Sequence, residues 1–299
     1  MDNIKRTIAL QTFQLIGSTT KMFFKPRPII SPEDMHWQHE TYKWLAQNFP
    51  KHIDADYIPL VTPSRECFPD VGNTMEERVS QLFLNVRRLA GMEAWPCVLE
   101  AQQEDPNIHI APTLLIKNAP QGPSGTFRID EQNRVIISFN VKLIDDAWAM
   151  VATFAHELAH YLTCTAKEPP PGGWENWEFA TDLAAVYLGF GLFLANTSFS
   201  FQQFVDYQSN TQGWRTKNQG YLSENELLHA LAIFILLHNE DEHKPLKYLK
   251  DSLKGRYKKV LKYIKSENIV SELQAVRGAA MRNLEEQGAS DHTETTATC

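Results

Sequence analysis

Cysteine is scarce in this chain, with four residues in 299. Cys67, Cys97, Cys164 and Cys299 are widely spaced and form no CxxC pair. That excludes a dense disulfide framework and fits a reducing compartment. Each cysteine reads as a small buried apolar residue, or as an exposed thiol in the tail. Excess positive charge is missing too. A net charge of -7 and a pI near 5.8 give no reason to expect a polyanion as the main partner, so nucleic-acid binding is not expected. Long apolar runs are also lacking. The first apolar stretch is broken by Gln11 and Gln14, which does not suit a secretory signal. Residues 183–195 and 230–237 are apolar but too short to span a bilayer. The expectations are therefore no membrane span and, by default, a cytoplasmic protein. No internal repeat is present, and nothing in the sequence sets the oligomeric state.

Hydrophobic residues make up 43% and charged residues 22%, the balance of a globular domain with a substantial core. Residues 1–94 read as an N-terminal helical and loop region. Ser31-Pro32-Glu33 has serine at a helix cap and proline in the first turn, which predicts a helix to about Asn48. Residues 57–72 are rich in proline and glycine and read as loop. Thr74-Met75-Glu76-Glu77 has capping-box spacing. Val79, Leu82, Phe83, Val86 and Leu89 follow at helical spacing, up to a stop near Gly91.

Residues 95–284 read as the main α+β core. Short strands are expected at Cys97–Ala101, 108–117, 126–129 and 134–139. The polar turn Asp130-Glu131-Gln132-Asn133 joins the last two into a hairpin. From about Asp145 the chain reads as mostly helical. Residues 285–299 are rich in Thr, Glu and Ser without apolar periodicity, and are expected to be a disordered tail.

The chemistry concentrates in His156-Glu157-Leu158-Ala159-His160. On a helix, residues four apart share one face. Two imidazoles at that spacing can hold one metal ion, and Glu157 lies beside the same face as a general base. The flanks from Trp148 to Leu162 carry no other charge, and such groups in a buried apolar run are costly unless paired or metal-bound. A catalytic zinc needs a third protein ligand. Helical spacing offers Glu178, Asp182 and Glu175, all in the segment after the turn-rich Lys167–Gly173 stretch.

HELAH followed by Glu178-Phe179-Ala180-Thr181-Asp182 resembles the gluzincin group of zinc metallopeptidases, nearest to members whose second helix reads E-x-x-A-D. Thr181 departs from the alanine of that pattern. The resemblance covers about residues 146–195. It is similar also to bacterial proteins with a zincin-like core, which gives no substrate. It implies a zincin-like fold, a small twisted sheet followed by the active-site helix and a helical C-terminal half. It implies one zinc per chain held by His156, His160 and Glu178, with Asp182 fixing a histidine ring, and hydrolysis of a peptide or protein substrate. The base would take a proton as water attacks a carbonyl. Enzymes of this kind often add a Tyr or His to stabilise the oxyanion, and Tyr221 and His229 are the candidates here. Zincins also hold extended substrates on an edge strand, whose position Val135–Phe139 resembles; a plain sheet strand is the competing reading. A zinc hydrolase of a non-peptide amide or ester is the alternative enzyme. A non-catalytic zinc-binding regulator is the alternative outside enzymes, and the presence of Glu157 speaks against it.

Two features carry less. Residues 244–265 form a basic amphipathic pattern, read as a helix with a solvated charged face rather than a membrane-surface element. Trp174 and Trp177 flank the acids and read as core or as cleft wall.

Overall fold

Helix α3, Ala147–Thr163, organises the molecule. The Asp146 carboxylate accepts the Ala149 N–H at 3.0 Å and caps its start. No proline or glycine interrupts it, and its apolar residues face every direction. A helix of that kind is stable only when surrounded, and all but three of its 17 residues are buried. The computed structural model describes residues 26–50, 59–69, 72–102, 124–206 and 222–296. Within them α3 packs against the sheet, against α2 (Met75–Leu89) and against α4 (Trp177–Ala185) and α5 (Gly191–Asp206). Phe154 is wholly buried, edge-on to both Phe83 of α2 and Phe139 of the sheet. A phenylalanine so placed resists truncation to alanine by about 3–5 kcal/mol.

The architecture is α+β, mostly helical, with one small mixed sheet. Its strands are β1 (Cys97–Ala101), β2 (Gly125–Ile129) and β3 (Val135–Phe139), in the order β1-β3-β2. β2 and β3 form the expected antiparallel hairpin, with Phe127 opposite Ile137. Asn133 closes its turn at φ 58°, a left-handed conformation that asparagine tolerates. β1 pairs in parallel with the other side of β3. The central position of β3 corrects the expectation that Val135–Phe139 is an edge strand. All five of its residues are buried, and a ladder on each side leaves no edge for a substrate. The strand expected at 108–117 lies outside the described residues.

The N-terminal caps are as read. The Ser31 hydroxyl accepts from Asp34 N–H and starts α1 (Pro32–Asn48). Thr74 and Glu77 complete a capping box on α2. Around this frame stand α6 (Glu224–Leu237), α7 (Asp251–Ile264) and α8 (Ile269–Thr296). One contiguous apolar cluster includes Tyr42 of α1, Val86 of α2 and Leu231 of α6, so residues on both sides of position 95 share it. α8 continues as helix to Thr296, through most of the stretch read as a disordered tail. Glu285, Glu286 and Gln287 are good helix formers and extend a helix already nucleated by the packing of Ile269 and Leu273. The stretch Trp174–Ser198 is long and apolar enough to cross a membrane, but 89% of that window is buried in protein.

Candidate metal centre

The turn between α3 and α4 sets the site. Gly172 and Gly173 have φ of 87° and 81°, which side-chain-bearing residues rarely adopt. A Cβ on Gly172 would fall 2.0 Å from Asn176 Nδ2. Two indoles of α1 tie the turn down: Trp37 Nε1 donates to Pro171 O at 2.8 Å and Trp44 Nε1 to Glu168 O at 3.3 Å. The chain reverses there and lays α4 against α3.

The reversal brings Glu178 to the two histidines. Its Oε2 lies 3.4 Å from His156 Nε2 and 3.2 Å from His160 Nε2. One ligand atom from each of the three residues lies within 4.8 Å of the others. Zinc bonds of about 2.0–2.1 Å set neighbouring atoms of a tetrahedron about 3.3 Å apart. Charge-assisted N–H···O bonds are shorter, at about 2.7–2.9 Å. The spacing therefore suits an ion between these atoms better than direct hydrogen bonds.

The far side of each ring agrees. His156 Nδ1 is 2.9 Å from Asp182 Oδ1. Asp182 keeps its other oxygen for the Leu222 N–H, at 2.8 Å. His160 Nδ1 is 3.2 Å from Thr181 Oγ1. That hydroxyl already donates its one hydrogen to Trp177 O at 2.9 Å, so it can only accept from His160. Both rings thus carry their hydrogen on Nδ1 and turn Nε2 toward a carboxylate oxygen. Three acceptors then face one another, which is stable only with a positive charge among them. Two imidazole nitrogens and one carboxylate oxygen, with a fourth direction open, fit a zinc ion.

Packing holds the rings in place. Phe127 of β2 stacks on His160 with centroids 6.2 Å apart, and Trp177 meets it edge-on at 4.9 Å. Without a metal, the charge balance falls on protons. Burial pushes the His156 pKa down, but the bond with Asp182 and the nearby Glu178 carboxylate outweigh it and carry it up to about 10. Burial holds His160 below its ordinary value, against the pull of Glu178. Burial raises Glu178, yet the two histidines overcome it and hold the carboxyl far below the usual range. Burial pushes Glu157 up to about 7, opposed by His156 and aided by Glu178.

Glu157 is 5% exposed, and among the described residues its carboxylate has no hydrogen-bond partner. It lines a cavity beside the cluster together with His156, Asp182 and Gly125 of β2. β2 can come this close because residue 125 is glycine. A Cβ there would stand 2.9 Å from Glu157 Oε1 and 2.6 Å from Thr153 Cγ2.

The remaining sequence candidates fall elsewhere. Glu175 sits on the 3-10 turn Trp174–Asn176 and is not part of the cluster. His229 is not brought to the site either, because its side of α6 faces α1. Its Nδ1 is 2.9 Å from Gln38 Oε1, and its ring stacks on His39. Tyr221 lies outside the described residues. Thr181 is the residue of the cluster's surroundings that the sequence reading did not select. Its position one before Asp182, on the turn facing His160, was the available signal. Comparison with known proteins returned nothing: no family model, curated protein or solved structure matches the chain.

Proposed function

We propose that this chain is a zinc-dependent metallopeptidase of the zincin type, with one zinc per chain held by His156, His160 and Glu178. The observation that carries the reading is Glu157. Among the described residues this carboxylate has no hydrogen-bond partner, an arrangement that destabilises a fold, and a purely structural metal site has no use for one. Next to an open-sided His2Glu set, it is where a general base belongs.

A zinc ion in this set supplies Lewis acidity and makes water a stronger acid. The protein's own groups do the rest. Glu157 accepts the proton of the attacking water at its carboxylate and can deliver it to the leaving amine. Asp182 and Thr181 fix the two rings so that neither Nε2 carries a hydrogen toward the ion. β2 supplies a docking edge. Its inner edge is paired with β3, and no described strand pairs with its outer edge, so an extended peptide can add there by main-chain hydrogen bonds. This assigns to β2 the role that the sequence reading gave to Val135–Phe139.

The test is to incubate the zinc-loaded full chain with a complex peptide mixture and identify new termini by mass spectrometry. New termini from wild type and none from Glu157→Gln, with zinc retained in both, support the reading. Zinc binding without cleavage of any peptide would reject it, and amide and ester panels would then decide between another hydrolase and a metal-binding regulator.

A further inference from the structure

Thr153, which lines the cavity beside Glu157, has a hydroxyl with no partner among the described residues. Thr153 is 2% exposed, and its Oγ1 makes no hydrogen bond to any described residue. Other buried helical threonines of the described chain do not behave this way. Thr41, Thr163, Thr181 and Thr197 each donate to the carbonyl four residues earlier, at 2.8–2.9 Å. That is the usual way for a threonine inside a helix to satisfy itself. Thr153 stands one turn before Glu157, and its methyl lies against Gly125. Its hydroxyl retains both a hydrogen and lone pairs.

The rest of the wall has the same character. Thr197 spends its hydrogen on Phe193 O, and Ser198 spends its own on Ala195 O at 3.3 Å. Each therefore offers only lone pairs to the cavity. Leu194 and Leu227 close the sides. The interior volume is about 30 Å³, room for two or three waters at about 10–15 Å³ each. A methyl or hydroxymethyl group fits; an isobutyl or benzyl group does not.

We propose that this cavity is the side-chain pocket for a residue next to the scissile bond, and that it selects serine, accepts alanine and excludes large apolar residues. The proposal rests on the peptidase reading and names its substrate class. A serine side chain entering here accepts from Thr153 and donates to a lone pair of Thr197 or Ser198. Its Cβ meets the leucine walls.

Two measurements test this. Cleavage sites in the peptide mixture should carry serine, then alanine, at one position beside the cut, with leucine and phenylalanine disfavoured there by at least about tenfold. Binding is then read without turnover, by calorimetry on zinc-loaded Glu157→Gln, using peptides that differ only in Ser, Ala or Leu at that position. On that background Thr153→Val, which keeps the shape and removes the hydroxyl, should lower the serine-to-alanine affinity ratio about fivefold, the value of one neutral hydrogen bond. Leu227→Ala should admit the leucine peptide. Cleavage with leucine or phenylalanine preferred on both sides of the bond would overturn the pocket and leave the peptidase standing. An unchanged serine-to-alanine ratio in Thr153→Val would overturn the role of that hydroxyl. Absence of all cleavage would count against the peptidase, and the pocket would fall with it if the Glu157→Gln protein also bound the serine and leucine peptides equally.

Discussion

Two pairs of histidines, one buried and one with His229 buried and His39 half-buried, are built for different ends. His156 and His160 lie one turn apart on α3, with rings edge to face at 4.7 Å. His39 and His229 lie on different helices, α1 and α6, with rings stacked at 5.3 Å. In the first pair each Nδ1 has an acceptor, and each Nε2 faces the Glu178 carboxylate. In the second pair His229 Nδ1 bonds to Gln38, while Nε2 of both rings is buried without a partner among the described residues. No described carboxylate joins the second pair into a group that could hold an ion. Burial alone therefore does not mark a metal site. A carboxylate on the open nitrogens and an acceptor behind each ring do.

The largest effect that tests this contrast is loss of metal. Purified wild type should hold about one zinc per chain by elemental mass spectrometry, and His156→Ala or Glu178→Ala should remove nearly all of it. Loss of a ligand should exceed the roughly 10–100-fold that loss of an outer partner costs in affinity. His39→Ala should leave the zinc content unchanged. Zinc that depended on His39 would break the comparison at once. Next in size is the base. Glu157→Gln should keep the zinc and lower peptide hydrolysis by about 10²–10⁴-fold. An equal loss of zinc in that variant would mean that Glu157 is a ligand or a support rather than a base.

The acceptors behind the rings come next. Thr181→Val keeps the volume and removes the oxygen that His160 Nδ1 needs. Zinc affinity should fall about 10–100-fold, and Asp182→Asn should do the same to His156. Competition with a chromogenic chelator reads both. If Thr181→Val bound zinc as wild type does, the far side of His160 would not matter, and the contrast would rest on Glu178 alone.

What could be read from the sequence followed from local periodicity. Helical spacing put His156, Glu157 and His160 on one face, and it put three acids on one face of the next helix. It could not rank those acids, because ranking depends on how α4 lies against α3. In the fold Glu178 meets the Nε2 atoms, Asp182 meets the Nδ1 of His156, and Glu175 meets neither. Thr181 showed only as a departure from the alanine of the pattern, since its contact with His160 crosses two helices. The hairpin was legible from its turn, whereas the parallel pairing of β1 joins strands more than thirty residues apart and leaves no local trace. His229 shows the same limit. Its helix starts at a Ser223 capping box, but a cap does not say which neighbour a helix faces.

The smallest effect concerns the second histidine pair and its response to acid. Burial, with a smaller contribution from His39, lowers the His229 pKa from 6.5 to about 3. His39 falls to about 4, mainly by burial and then by Lys43, against the opposing charges of Glu272 and Glu267. A histidine whose folded pKa is depressed is protonated first in the unfolded chain. Its penalty is therefore absent above pH 6.5 and grows as the pH falls from there toward 3. At pH 5 a ring kept fully neutral costs about 2 kcal/mol of stability. His229→Asn retains a donor toward Gln38 and cannot titrate. Urea unfolding should show wild type losing about 2 kcal/mol more than this variant between pH 7 and pH 5. The comparison uses the slope, since asparagine also packs less well and lowers stability at both values. Equal slopes would mean that His229 takes up a proton in the folded state at little cost, and its Nε2 would then need a partner. The two histidine pairs would differ less than their geometry indicates.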